Sequence, residues 1–313
     1  VLKAGRKVAI LGAGAVGASV AYALSVTGVA AELVLVDVNR ERAAGEAMDL
    51  SHAAAFIKPV EIYAGDYADC RDAAIVVFAA GANQKPGENR LDLLKKNYAI
   101  LQETIPRLMP LWEGAILLMV TNPVDVLTCA ALKISGLSPQ RAFGTGTALD
   151  SSRFRHSLSR HLGIASRNIH ANVVGEHGDS EVLLWSHVYV AGTGIDDYCR
   201  LAGLPPVDRL AVDRSVRNAA YEIIARKGAT NYAISLAVKQ ICEGILRDED
   251  AIMTVSGLIE GSYGIDGCCL SLPCVINAGG KGRPLELLLS PEEEEAVLHS
   301  AAVLKNAIAS LGV

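Results

Sequence analysis

In the first half of the chain, short apolar runs alternate with stretches whose apolar positions recur at helical spacing. Residues 8–11 form the first run, followed by a glycine turn and a helix of small residues over about 16–27. Residues 33–36 predict a second strand and 40–52 a helix. Residues 74–80 (AIVVFAA) predict a third buried strand and 116–120 a fourth. Unbroken aliphatic and β-branched runs, in place of alternation, are what a parallel sheet covered on both faces requires. Strands joined through helices by right-handed crossovers make a Rossmann-type, doubly wound α/β fold.

The pattern changes after about Phe143. Residues 150–162 read as a helix, 169–174 as extended chain and 208–225 as a long helix. Between 252 and 271, Gly261, Gly264 and Gly267 punctuate apolar residues and predict antiparallel strands and hairpins. Ser290 as N-cap and Pro291 as first residue open a charged helix over 291–311. The expected organisation is a Rossmann domain over 1–143 and an α+β substrate domain over 144–313, with a large shared interface and a cleft between them.

Composition narrows the function classes. An apolar fraction of 51%, a charged fraction of 20% and a net charge of −5 fit a soluble globular protein and offer no basic face for nucleic acid. The seven cysteines form no C-x-x-C pair, so reduced thiols in the cytoplasm are expected. The 24 uncharged residues from Val8 to Ala31 have the hydropathy of a signal peptide or a single span. Gly12, Gly14, Gly17 and Gly28 interrupt that run, and a β-α-β unit accounts for all of it. No membrane partner is expected.

Gly12-Ala13-Gly14-Ala15-Val16-Gly17 is G-x-G-x-x-G between a strand and a helix. The first glycine allows the tight turn, the second a close approach to a pyrophosphate, and the third close packing of helix on strand. The helix N-terminus itself favours phosphate. Asp37 follows Gly17 by 20 residues, at the end of the second strand. Its carboxylate suits the ribose hydroxyls of NAD and would repel the extra phosphate of NADP. The alternatives are an FAD site or a turn that binds nothing.

Four further segments carry candidate chemistry. A Gly/Pro-rich polar loop, 81–90, follows the third strand and includes Gly81, Gln84 and Arg90; Thr121-Asn122-Pro123 follows the fourth. Asp150-Ser151-Ser152-Arg153 puts a carboxylate and a guanidinium on one helix face, and Gly175-Glu176-His177-Gly178-Asp179 carries a histidine. Singly, each has a plainer reading as a surface histidine, a helix salt bridge or an ordinary loop. No cluster with metal-ligand spacing surrounds His177.

Taken together, 12–17, Asp37, 84–90, Asn122-Pro123, 150–153 and 175–179 resemble the lactate and malate dehydrogenase family. The resemblance runs essentially end to end and includes Lys227-Gly228-Ala229-Thr230 and Ser271-Leu272-Pro273. It implies NAD as cofactor, held by Gly12, Gly14, Val16, Gly17, Asp37, Gly81 and Asn122. It implies His177 as proton donor and acceptor, with an ordinary value near 6.5 that suits both directions. Asp150 would orient the ring, Arg153 grip the substrate carboxylate and Arg90 stabilise charge on the carbonyl oxygen. Asn122 would bond near the same oxygen.

Within the family, Gln84 and Thr230 are expected to border the substrate side chain. A neutral Gln84 leaves oxaloacetate's second carboxylate unpaired, which favours pyruvate and lactate over malate. Asn231 stands where an aromatic residue is expected and Ala233 where glycine is expected, so bulkier or branched 2-keto acids stay open. Arg155 and His170 resemble the fructose 1,6-bisphosphate site that bacterial members share between subunits, which implies an activated homotetramer. The remaining alternative is a non-catalytic dinucleotide-binding protein that kept the fold.

Overall fold

The computed structural model describes residues 6–82 and 90–312. Its first elements are β1 (Lys7–Leu11), α1 (Ala15–Thr27), β2 (Glu32–Val36) and α2 (Arg40–His52). A short strand, β3 (Glu61–Ala64), comes next, so the 74–80 run supplies the fourth strand, β4 (Ile75–Phe78). The expected numbering missed β3 because EIYA is an edge strand with one buried residue, and shows no apolar run. Then follow α3 (Arg90–Leu108), β5 (Ile116–Met119), α4 (Val124–Ser135) and β6 (Ala142–Gly144).

Strands β1 to β6 are parallel, in the order β6-β5-β4-β1-β2-β3. Their side chains alternate between two apolar cores. Ala9, Leu11, Val76, Phe78, Leu117 and Met119 face one side, and Val8, Ile10, Ile75, Val77, Ile116 and Leu118 the other. Burial on both faces is the physical reason these strands lack polar alternation.

The second half contains α5 (Ala148–Leu162), the two-residue strands β7 (Ile169–His170), β8 (Val173–Val174), β9 (Val182–Leu183), β10 (Tyr189–Val190) and β11 (Thr193–Gly194), and α6 (Ile195–Leu201). Long helices α7 (Arg209–Lys227) and α8 (Tyr232–Arg247) precede β12 (Ala251–Glu260), β13 (Asp266–Asn277) and β14 (Gly280–Pro284). The chain closes on α9 (Pro291–Ala309), where Ser290 and Glu293 form a reciprocal capping box behind Pro291.

The antiparallel strands do not stand apart. β12 pairs with β6 through Ser256 and Gly144, and β13 and β14 extend the same sheet to nine strands. From the other side, α8 packs on α1, placing Val238, Ile241, Cys242 and Ile245 in the core that Val20 and Leu24 line. A third core gathers Phe154 and Leu158 of α5 with Val212 and Val216 of α7; the Trp185 ring meets Phe154 edge-on at 4.9 Å. Among the described residues, no helix is long and apolar enough to cross a membrane.

Candidate active site

The glycine turn lies between β1 and α1, where the spacing put it. Gly12 has φ +95°, and its N–H donates to Val36 O at 2.7 Å. A Cβ on Gly17 would stand 1.8 Å from Gly12 O, so the fold itself forbids one. Gly14, the N-cap of α1, is different: a Cβ there would meet nothing within 4 Å. Space left open at the start of a helix, next to its unpaired N–H groups, fits a dinucleotide pyrophosphate. Val16 is half-buried in the first turn. Asp37 directs both oxygens at this region: Oδ2 accepts from Ala13 N at 2.7 Å and Oδ1 from Asn39 N at 2.8 Å. Gly81 sits against Thr121, whose Cγ2 would lie 2.6 Å from an added Cβ.

Asn122 is exposed at the end of β5, and its carbonyl accepts from Asn97 Nδ2 at 2.7 Å. The Asn97 Oδ1 accepts from Ala82 N at 2.7 Å, tying the ends of two strands together. Arg90 is the first residue of α3, and its side chain lies outside the described residues, as does the whole of Gln84. Thr230 stands in the connection between α7 and α8.

The expected charge cluster does assemble. Asp150, 1% exposed on α5, accepts from Arg153 Nη1 through Oδ1 at 2.8 Å and from His177 Nδ1 through Oδ2 at 2.6 Å. Because a carboxylate can only accept, Nδ1 carries the proton, and Nε2 is left as the nitrogen that exchanges one. Burial alone would depress the His177 imidazolium. The charge and hydrogen bond of Asp150, with the charge of Asp125, outweigh it and raise the group to about 9. The rise above the ordinary 6.5 has the direction expected of Asp150, which favours the imidazolium. Burial alone would raise Asp150, but His177 and Arg153 hold it below the usual carboxylate range.

The turn bearing His177 is fixed by three successive backbone N–H groups, each bonded to a different element. Gly175 N donates to Ser271 O on β13 at 2.9 Å, Glu176 N to Ser300 Oγ on α9 at 2.7 Å, and His177 N to Asp125 Oδ2 on α4 at 2.7 Å. Helix α7 adds Arg217 Nη1 donating to Asp179 O at 2.9 Å, and Tyr221 Oη donating to Asp179 Oδ1 at 2.8 Å.

Asp125, Ser300 and Glu181 were not foreseen as parts of this site. Burial pushes Asp125 up to about 6, against the Ser256 hydroxyl and the bond from His177 N. Even so, neither Asp125 Oδ1 nor Ser256 Oγ completes a hydrogen bond among the described residues. Glu181 is 4% exposed and its Oε1 has no partner among them. Burial and the charge of Asp150 push it up to about 8, with Arg217, His177 and Arg153 opposing. In the sequence both acids border apolar residues, Asp125 inside VDVL and Glu181 before VLLW, which hints at burial but not at a partner.

Arg155 reaches from α5 to the two residues between β7 and β8. Its Nε donates to Ala171 O at 2.8 Å and Nη2 to Asn172 Oδ1 at 3.0 Å, beside the exposed His170.

Known proteins resemble this chain along nearly its whole length. Residues 6–144 match the model of the lactate/malate dehydrogenase NAD-binding domain, and 147–311 that of its alpha/beta C-terminal domain. The L-lactate dehydrogenase of Moorella thermoacetica is 50% identical over 310 residues, covering 98% of both chains. That of Thermoanaerobacterium saccharolyticum is 49% identical over 309 residues, covering 98% of this chain and 99% of the relative. The crystal structure of a minor L-lactate dehydrogenase from Enterococcus mundtii superposes with a TM-score of 0.95 at 40% identity, covering 98% of this chain and 99% of that one. A lactate dehydrogenase from a Medee basin deep-sea metagenome gives 0.96 at 41%, covering 99% and 100%. The chain therefore belongs to the lactate/malate dehydrogenase family of NAD-dependent oxidoreductases.

Proposed function

We propose that the chain is an L-lactate dehydrogenase, interconverting pyruvate and L-lactate. The observation that carries this reading is the buried Asp150 carboxylate shared between His177 Nδ1 and Arg153. Held at Gly12, Gly14, Gly17 and Asp37, NADH would supply a hydride to the keto carbon. His177, charged at neutral pH, donates its Nε2 proton to the keto oxygen, and the neutral ring takes it back in the reverse direction. Asp150 orients the ring and stabilises its charged form. Arg153 binds the substrate carboxylate in a two-pronged geometry that lysine cannot reproduce. Arg90 and Asn122 act on the keto oxygen, while Thr230 and Gln84 border the methyl group. Gly12, Gly14, Val16, Gly17, Asp37 and Gly81 hold the cofactor.

The choice of lactate rests on Gln84 and on relatives near 50% identity that carry that name. NADH absorbance followed with pyruvate, oxaloacetate and longer 2-keto acids tests it: kcat/KM is highest for pyruvate, and a higher value for oxaloacetate overturns the reading. Gln84→Arg shifts preference toward oxaloacetate.

Activation by fructose 1,6-bisphosphate at Arg155 and His170, in a cytoplasmic homotetramer, belongs to the same proposal. This part rests on the resemblance of Arg155 and His170 to the bisphosphate site of bacterial members; Arg155 bonds Ala171 O and Asn172 Oδ1, in the chain just after His170. Pyruvate saturation curves that do not respond to the bisphosphate refute this part alone. A division of the chain near residue 143 is also proposed.

A further inference from the structure

Asn231 is the N-cap of α8, and both polar atoms of its side chain are bonded. Its Oδ1 accepts from Lys227 Nζ at 2.6 Å and its Nδ2 donates to Ser19 Oγ on α1 at 2.7 Å. Lys227 is the last residue of α7, and its ammonium also lies 4.0 Å from the centre of the Tyr232 ring. One amide therefore joins the end of α7, the start of α8 and the second turn of α1. The Lys227 bond closes the four-residue connection, 228–231, on itself. The Ser19 bond, across 212 positions of sequence, fastens that connection to the helix whose N-terminus lies beside the open space at Gly14.

We infer that Asn231 is a positioning residue, which holds the connection bearing Thr230 against the cofactor helix and so sets the wall of the acid pocket. The inference rests on the proposed role of Thr230. Neither Asn231 nor Ser19 takes part in proton or hydride transfer. Within the connection, Gly228 ends α7 in a left-handed conformation with nothing near its Cβ position, and Ala229 and Thr230 are half-buried. Without the Ser19 bond, the connection is held only by its own Lys227 bond and by the packing of α8 on α1, and substrate binding weakens while the His177–Asp150 pair is untouched.

The test compares Asn231→Leu, Ser19→Ala, the double variant and Asn231→Asp, whose carboxylate can accept from the Ser19 hydroxyl and from Lys227. The KM for pyruvate rises about fivefold in each single variant, the size of one net hydrogen bond. It rises no further in the double variant. Both kcat and the Kd for NADH stay within about twofold of the parent enzyme, and Asn231→Asp restores KM. Additive effects of the two single changes, or an unchanged KM in Asn231→Leu, overturn the inference. Amide hydrogen exchange over 228–231 gives a reading independent of substrate, accelerating about fivefold in Asn231→Leu and Ser19→Ala. If the parent enzyme does not reduce pyruvate, the proposed function fails while this exchange still decides the inference; unchanged exchange refutes it.

Discussion

The turn at residues 12–17 and the turn at 175–179 are built by opposite means. The first is shaped by leaving atoms out: backbone crowds the Cβ positions of Gly12 and Gly17, and Gly14 opens onto space. The second is shaped by adding bonds, with three consecutive N–H groups held by β13, α9 and α4 and the imidazole held by α5. A turn of the first kind tolerates neighbouring change so long as nothing is added. A turn of the second kind tolerates little removal, because each partner taken away leaves a buried polar group unpaired.

The sharpest way to break the second turn is Asp150→Asn. It leaves the ring without the charge that raises it, and pyruvate reduction at neutral pH falls by about 10²–10⁴-fold in kcat/KM. Arg153→Lys keeps a charge but loses the forked geometry, and costs about 2–5 kcal/mol, or roughly 30- to several-thousand-fold in kcat/KM for pyruvate. The first turn separates fold from ligand. Gly17→Ala lowers unfolding free energy by about 1–3 kcal/mol in denaturant titrations. Gly14→Ala leaves that stability unchanged within about 0.5 kcal/mol and weakens NADH binding. If Gly14→Ala destabilises as much as Gly17→Ala, the contrast between the turns is wrong. Asp125→Asn, which weakens the bond to His177 N, lowers kcat/KM by about tenfold.

The pH profile gives the finest comparison. With His177 raised to about 9, kcat/KM for pyruvate reduction is level through neutrality and falls as pH rises through that value. Lactate oxidation, which needs the neutral ring, climbs over the same interval. Removing Asp150 moves both midpoints down.

What the sequence revealed was local. The glycine turn, the acid at the end of β2 and the Asp150–Arg153 pair lie within one β-α-β unit or one helix turn, where spacing dictates geometry. The long-range joins were not legible. Asp125 meets His177 across 52 positions, Ser300 meets Glu176 across 124, and nothing in their periodicity announces a partner. The sheet showed the same limit. β12 and β13 were readable as antiparallel strands from their glycine punctuation, but their union with the parallel sheet depends on Ser256 pairing with Gly144.

The buried acids and histidine of the site also tie folding to proton uptake. His177, Asp125 and Glu181 hold their protons more tightly in the fold than an unfolded chain does. Their contribution is complete below their unfolded values, about 4 for the carboxyls and about 6.5 for the histidine. It is lost as pH rises through about 9, about 6 and about 8, respectively. Asp150 acts in the other direction, and its contribution goes only as pH falls through a value below the ordinary carboxylate range. Through these four groups, mild acid favours the fold before stronger acid, by protonating Asp150, opposes it.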